Sequence, residues 1–290
     1  AISLLVMVIE SFINPEKAEQ RPWNLFFIGF LYATAATFLS LWIFKQYSSI
    51  VMVTLTVIAT VPLMYKTMKH EEKVDTELDE ESKILRHHSK ALSFLLFMFI
   101  GFLVAFTLWF IVLPADLIQI LFKSQLETIS TINTKVSGNA VEQLTNIFSI
   151  IFLNNIKVLM FCIFFAFFYG AGAIFILTWN ATVISAATGT FIKDKLAAYM
   201  AAIGNVNAFN YFNVFSLGLL RYAIHGIPEI AAYFIGGIAG GIISVAMINH
   251  DIESDKFKNI MLDALDLTML AVLVLFIAAI LEVFVTPIFF

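Results

Sequence analysis

The segment Arg221-Tyr222-Ala223-Ile224-His225-Gly226-Ile227-Pro228-Glu229 brings a guanidinium, an imidazole and a carboxylate together between two apolar runs. Carrying a charge to the bilayer centre costs about 2.5–3.5 kcal/mol on insertion scales, so such groups must be paired, or lie at an interface or cavity. Two chemistries fit. In the first, Gly226 turns the chain, Pro228 takes the first helical position and Glu229 falls in the first turn, where the helix dipole favours a carboxylate, with Arg221 and His225 as local partners. In the second, His225 and Glu229 form a proton-linked or substrate-binding site. Glu282, set among Ala278, Ala279, Ile280, Leu281, Val283 and Phe284, belongs near an interface or turned inward towards Arg221 or an asparagine. Asn180, Asn205 and Asn207 complete the candidate polar cluster of Arg221, His225, Glu229 and Glu282. Zinc is not expected, because a catalytic site needs three protein ligands and His225 has only His250 as company in the apolar carboxyl half. The pair His87-His88 is no better, since adjacent helical residues point about 100° apart.

These groups must be positioned by elements that live in lipid. Of the 290 residues 60% are hydrophobic, 31 are Phe and only 13% are charged, against roughly 25% charged in a soluble domain, and the mean hydropathy is +0.91. A soluble globule is excluded, and the expected fold is all-α: a polytopic transmembrane bundle of about seven spans (six to eight). The net charge of −4 gives no excess of cation for nucleic acid. The single cysteine, Cys162, lies in an apolar run and allows neither an internal disulfide nor a cysteine-based metal cage. No phosphate-binding loop, nucleophile elbow or zinc-protease motif occurs, so no cofactor, metal or catalytic residue is assigned, and an enzyme would need a constellation gathered from separate helices.

Spans are expected at 23–44, 49–65, 91–113, 156–179, 210–224, 228–248 and 264–286, each an uncharged or nearly uncharged run long enough, or almost so, to cross hydrocarbon. Residues 1–13 break at Glu10 without a basic stretch before or a small-residue cleavage site after, and read as an interfacial helix or a poorly ordered tail rather than a signal peptide. Residues 66–90 carry mixed charge and must be in water, as a linker or a solvated helical loop. Residues 115–155 are amphipathic, with Ile118, Phe122, Leu126 and Ile129, then Val141, Leu144, Ile147, Phe148 and Ile151, at helical spacing about a turn at Ser137-Gly138-Asn139, which predicts a helical pair lying on the outer membrane surface or capping the bundle. Residues 181–207 fit either interrupted, re-entrant helices or a loop with two short helices. The chain thus divides into an amino-terminal part (1–113), a surface pair (114–155) and a membrane core (156–290). Alternating the loops puts twelve basic residues on one side and five on the other, so the positive-inside bias predicts a cytoplasmic amino terminus and an outside carboxyl terminus in the cell membrane.

Small residues recur at Ala232, Gly236, Gly240 and Ser244, beside Gly237 and Gly241, and again at Ala166, Gly170 and Gly172. Close helix packing is their expected use. Asp263 and Asp266 are expected as first-turn acids of the last helix, and Phe161, Phe164, Phe165, Phe167 and Phe168 as a lipid-facing or core surface.

A set of short segments, in order, carries a family resemblance: Phe152-Leu153-Asn154-Asn155-Ile156-Lys157, Phe168-Tyr169-Gly170-Ala171-Gly172-Ala173, Thr178-Trp179-Asn180-Ala181, the His225-Gly226-Ile227-Pro228-Glu229 core, Gly236 to Gly241, and Ala278-Ala279-Ile280-Leu281-Glu282-Val283 to Pro287. The chain resembles the stage II sporulation protein M family of integral membrane proteins, particularly its archaeal branch, most specifically over residues 150–290. The resemblance implies membrane location and a complex-forming role, since bacterial members are associated with an envelope-remodelling complex, and it implies no catalytic residue. Three functions follow: a non-enzymatic membrane subunit or scaffold meeting protein partners, or a second copy of itself, through the 66–90 loop and the 115–155 pair; a transporter or channel using the polar cluster; or an intramembrane enzyme acting on lipid or peptide, with His225 as base oriented by Glu229. The lipid bilayer is a partner in all three.

Overall fold

The computed structural model describes residues 23–77, 81–133, 140–166, 171–204, 207–249 and 254–289. Among them no strand occurs. The helices are α1 (Trp23–Ile43), α2 (Ser48–Glu77), α3 (Glu81–Val112), α4 (Ala115–Leu121), α5 (Lys123–Asn133), α6 (Ala140–Ala166), α7 (Ala171–Ile203), α8 (Ala208–Asn249) and α9 (Asp255–Ile280), which runs on through a π turn (Leu281–Val285) and a last helical turn (Thr286–Phe289). Seven of these stretches are long and apolar enough to cross a membrane. The expectations for residues 1–22, the turn at Ser137-Gly138-Asn139, Asn205, Gly170, Phe167 and Phe168, and the side chains of His87 and His88 lie outside what is described.

The number of spans agrees with the sequence reading, but three of their positions do not. Residues 156–179 are not one span: α6 ends at Ala166 and α7 begins at Ala171, so the break falls inside the apolar run. Residues 144–155, expected on the surface, instead open the crossing Leu144–Ala166. Phe148 packs edge-on against Phe276 of α9 at 5.6 Å, and Phe152 against the same ring at 5.7 Å. Residues 181–203 are neither re-entrant nor a loop but the second half of the continuous helix α7. That helix stops at Gly204, whose φ of 72° is the left-handed conformation that ends helices, and its N–H bonds to the Met200 carbonyl at 2.9 Å. The two spans expected at 210–224 and 228–248 are one helix, α8, with Pro228 inside it. Its length of about 63 Å is twice the hydrocarbon thickness. The last helix starts earlier than expected, at Asp255, capped by Ser254 Oγ accepting from the Phe257 N–H at 3.2 Å; Asp255, not Asp263 or Asp266, is its first-turn acid.

Helix directions can be read from which residues meet. Gly29 of α1 abuts Met98 of α3 while Trp109 of α3 donates to Thr34 of α1 at 3.1 Å, so α1 and α3 run parallel. Ser185 of α7 donates to the Leu103 carbonyl, and Gly189 abuts the Phe110 ring, so α3 and α7 are parallel too. Gly236 meets Leu159 and Gly240 meets Ile163, making α6 and α8 parallel, whereas His225 meets Thr286, making α8 antiparallel to the last helix. This is the pattern of successive crossings in alternating directions. One consequence moves Lys193 and Lys195 from the side on which the sequence reading put them to the other, where Lys193 lies over the Phe110 ring at 5.3 Å, near the end of α3 that leads into α4.

The α4–α5 pair is not laid on the surface. Leu121 and Phe122 are fully buried, and Gln125 of α5 is wholly buried as the centre of a polar relay: Ser49 of α2 donates to its Oε1 at 2.8 Å, and its Nε2 donates to Thr182 of α7 at 3.1 Å. Thr182 passes its own proton to the Trp179 carbonyl at 2.7 Å. In lipid every buried polar group must be satisfied within the protein, and this relay clamps α5 between two spans.

Glycines set the closest approaches. A Cβ on Gly240 would run into the Ile163 carbonyl, and one on Gly101 into the Phe26 carbonyl. Gly236 and Gly240 thus lie where α6 and α8 approach most closely, and Gly29 and Gly101 lie in the same way between α1 and α3.

Candidate functional site

Pro228 has no N–H, so the Ile224 carbonyl, one turn earlier, lacks its usual helical partner. Facing this point, the last helix widens into the π turn Leu281–Val285, a distortion that leaves backbone groups needing other partners and recurs at functional sites. Both irregularities sit at the seam between α8 and α9, and the two carboxylates lie on them: Glu229 directly after Pro228, and Glu282 inside the π turn.

Glu229 is part-buried and accepts a hydrogen bond from Tyr233 Oη at 2.7 Å, while Tyr233 itself is 1% exposed. Glu282 is close enough to feel the charge of Glu229. His225 Nδ1 lies 3.3 Å from Thr286 Oγ1, and that hydroxyl donates to the Leu281 carbonyl at 3.0 Å, satisfying one group of the π turn. Arg221 turns away from the acids: its guanidinium lies 5.0 Å from the centre of the Phe191 ring of α7 and 5.9 Å from that of Tyr222.

Depth follows from neighbours on α3. Arg221 and Lys193 flank the level of Phe110, and Phe234 packs edge-on to Phe99 at 6.1 Å. Glu229 stands about 12 Å along α8 from Arg221, between these levels, which puts it near the middle of the crossing Leu95–Val112. The helix-start reading of this segment is therefore corrected: α8 passes straight through Gly226 and Pro228, so Glu229 has no helix N-terminus beside it. The wedge of an interior proline, rather than a turn, is what the sequence encodes.

The expected polar cluster separates into four among the described residues. His225, Glu229 and Glu282 come together. Arg221 belongs to an aromatic-bedded basic group with Lys193 and Lys195, the latter over Phe191 at 5.5 Å. Asn207 is a surface cap, its Oδ1 accepting from the Asn210 N–H at 2.9 Å. Asn180 lines a separate cavity between α2, α5, α6 and α7, and Asn205 lies outside the described residues. Sequence reasoning missed Tyr233, which shares a helix face with Glu229 at the i,i+4 spacing, and Thr286, which carries no local signal. Among the described residues no group of three acids, histidines or cysteines could hold a metal ion.

The family profile described as Stage II sporulation protein M matches residues 90–287. The chain belongs to this family. The matched region takes in α6 to α9 whole, with the Glu229–Glu282 seam and the α6–α8 glycine contact, and it begins ahead of the apolar part of α3. No curated protein and no solved structure matches the chain.

Proposed function

We propose that this stage II sporulation protein M family member is a non-enzymatic membrane subunit whose α8–α9 seam binds and releases protons in moving a solute across the membrane. The observation that carries this reading is the pair Glu229 and Glu282 near mid-crossing, on facing helices of which one carries an interior proline there and the other a π turn. Ionisable groups in hydrocarbon are costly and mark ion pathways and proton relays, and irregular backbone at such depth is tolerated where it lines a site. Tyr233 is the group joined to this pair, through its hydrogen bond to Glu229, with Cys162 of α6 beside it; Arg221, further along α8, faces His225 rather than the acids. A catalytic dyad of His225 and Glu229 has less support, because His225 is engaged by Thr286 and Glu229 by Tyr233.

The test is proton flux into proteoliposomes holding an inside pH dye. Wild type should exceed empty vesicles, and Glu229→Gln and Glu282→Gln should each lose most of the flux while keeping the helical circular dichroism and the elution volume of the parent. Flux unchanged in both variants, or absent in wild type, would refute the reading.

A second reading, a scaffold in an envelope-associated complex, draws on one feature: α2 and α3 continue as helix to Glu77 and from Glu81, beyond their apolar windows Lys45–Leu63 and Leu95–Val112. Each extension of about 20 Å would reach well into water, on the side bearing the larger share of basic residues. With the corrected spans, which place Lys157 inside the crossing Leu144–Ala166, that share is ten against six, which favours a cytoplasmic amino terminus by a smaller margin. Crosslinking in native membranes followed by affinity capture tests it: a stoichiometric partner linked through residues 66–90 supports it, and self-association alone counts against it.

A further inference from the structure

Gly218 of α8 is buried against α7: a Cβ there would press on the Ile192 side chain, with the Phe191 ring next to it. This close approach decides what happens one turn further on. Arg221 shares a face of α8 with Gly218, and its guanidinium lies 5.0 Å from the centre of the Phe191 ring. Lys195, one turn beyond Phe191 on α7, brings its ammonium to 5.5 Å from the same centre. The two cations are therefore no further apart than these distances laid end to end, and the ring attracts both without neutralising either. Among the described residues the ion pair is that of Lys258 with Asp255, and neither Arg221 nor Lys195 has a carboxylate partner. Asp194 is exposed and points about 100° away from Lys195 around α7. Two like charges held this close repel each other, and an anion between them turns the repulsion into attraction.

The surroundings narrow what carries that anion. Both residues belong to apolar crossings, Ile174–Ala202 and Phe209–Ser244. Their level is given by Lys193, which lies over Phe110, close to where the crossing of α3 ends at Val112, and the headgroups of one leaflet meet the bundle there. From this level towards the membrane centre, Leu220, Ile224 and Ile227 follow at i, i+4 and i+7 on one face of α8, with Leu220 53% and Ile227 46% exposed. A small anion would use the cations and leave this stripe unused. A phospholipid uses both, since a guanidinium and an ammonium suit a phosphate and the stripe suits an acyl chain. The headgroup's net charge matters as well: a zwitterionic lipid brings its own ammonium, which Arg221 and Lys195 repel. From this juxtaposition we infer that this face of the α7–α8 pair binds an anionic phospholipid, its phosphate bridging Arg221 and Lys195 beside Phe191 and one chain lying along Leu220, Ile224 and Ile227. The site is separate from the α8–α9 seam and does not rest on the proton-flux reading.

The full chain is incorporated in discs containing equal amounts of phosphatidylglycerol and phosphatidylcholine with the same acyl chains, then released into mild detergent, and the lipid retained is read by native mass spectrometry. Phosphatidylglycerol should be retained about tenfold over phosphatidylcholine. Arg221→Gln and Lys195→Gln each remove one charge from a side chain that is not buried, and each should lower that ratio about threefold or more while keeping the parent's circular dichroism and elution volume. Lys258→Gln, which removes a charge at the opposite end of the bundle, should leave the ratio unaltered. Equal retention of the two lipids by wild type, the wild-type ratio in either folded variant, or an equal fall with Lys258→Gln would overturn the inference. So would displacement of the lipid by an excess of inorganic phosphate, which would make the site one for a soluble anion.

Discussion

Replacing Gln125 with Met keeps the length and most of the volume of the side chain while deleting both of its hydrogen bonds, to Ser49 and Thr182. Interhelical hydrogen bonds in a membrane protein contribute about 0.6 kcal/mol on average and up to about 1.7, so two give about 1.2 kcal/mol at the mean. The Ser49 hydroxyl, buried and left without its acceptor, adds the upper part of that range, whereas Thr182 still donates to the Trp179 carbonyl and adds little. The expected loss for Gln125→Met is thus about 2–3 kcal/mol, measured as the shift in reversible unfolding from mixed micelles. A double-mutant cycle with Ser49→Ala should return a coupling of about 0.5–1.5 kcal/mol. The competing architecture makes the opposite forecast: an α5 lying in the interface would keep Gln125 in contact with water and headgroups, and both numbers would fall within about 0.3 kcal/mol of zero. That result would refute the clamped position of α5 and, with it, the α5 wall of the cavity that Asn180 lines.

Gly226→Ala tests the continuity of α8: a Cβ there meets nothing within 4 Å, so the variant should be neutral or more stable by up to about 1 kcal/mol, whereas a turn at Gly226 would make it destabilising. Gly240→Leu should cost about 3 kcal/mol or more, since its Cβ would strike the Ile163 carbonyl and overpacking against backbone cannot relax by rotamer change; thermal unfolding in discs reads it, and a neutral result would contradict the α6–α8 contact. Tyr233→Phe deletes the one hydroxyl bonded to Glu229 and should shift the pH dependence of proton flux with smaller loss of amplitude than Glu229→Gln; an unaltered profile would separate Tyr233 from the site.

The sequence made the class of fold readable because composition and run length are properties of lipid solubility, which the bilayer imposes whatever the packing. Boundaries between adjoining spans were less legible for the same reason. From Leu144 to Ile203 almost every residue is apolar or small, so the change from α6, ending at Ala166, to α7, beginning at Ala171, leaves no polar gap in the sequence; the polar Asn154, Asn155 and Asn180, which resemble edges, are instead inside helices α6 and α7. The true stop at Gly204 was signalled only by one glycine among four asparagines. Residues 115–133 show the converse. Their helical spacing was plain, but amphipathicity is equally the mark of a helix lying on lipid and of one wedged into a bundle with its polar face satisfied, and only the partners of Gln125 tell these apart.

For the polar site, the residue types were legible and their company was not. Arg221, His225 and Glu229 advance along α8 by a turn or so each, and spacing alone could not say that the first faces Phe191 of α7 while the other two face the last helix. The Gly226-Pro228 pair misled because glycine followed by proline is the signature of a helix start, and the same two residues serve as a wedge when a long apolar helix continues on both sides. The consequence is functional. As a first-turn acid, Glu229 would be held by backbone N–H groups and would need no other reason to be there. In the interior of a 42-residue helix those N–H groups are already used, the residue before it donates nothing, and its recorded partner is Tyr233, so its retention at mid-crossing opposite a second carboxylate requires compensation that packing does not supply. In the function proposed above, a proton bound by the carboxylate supplies it.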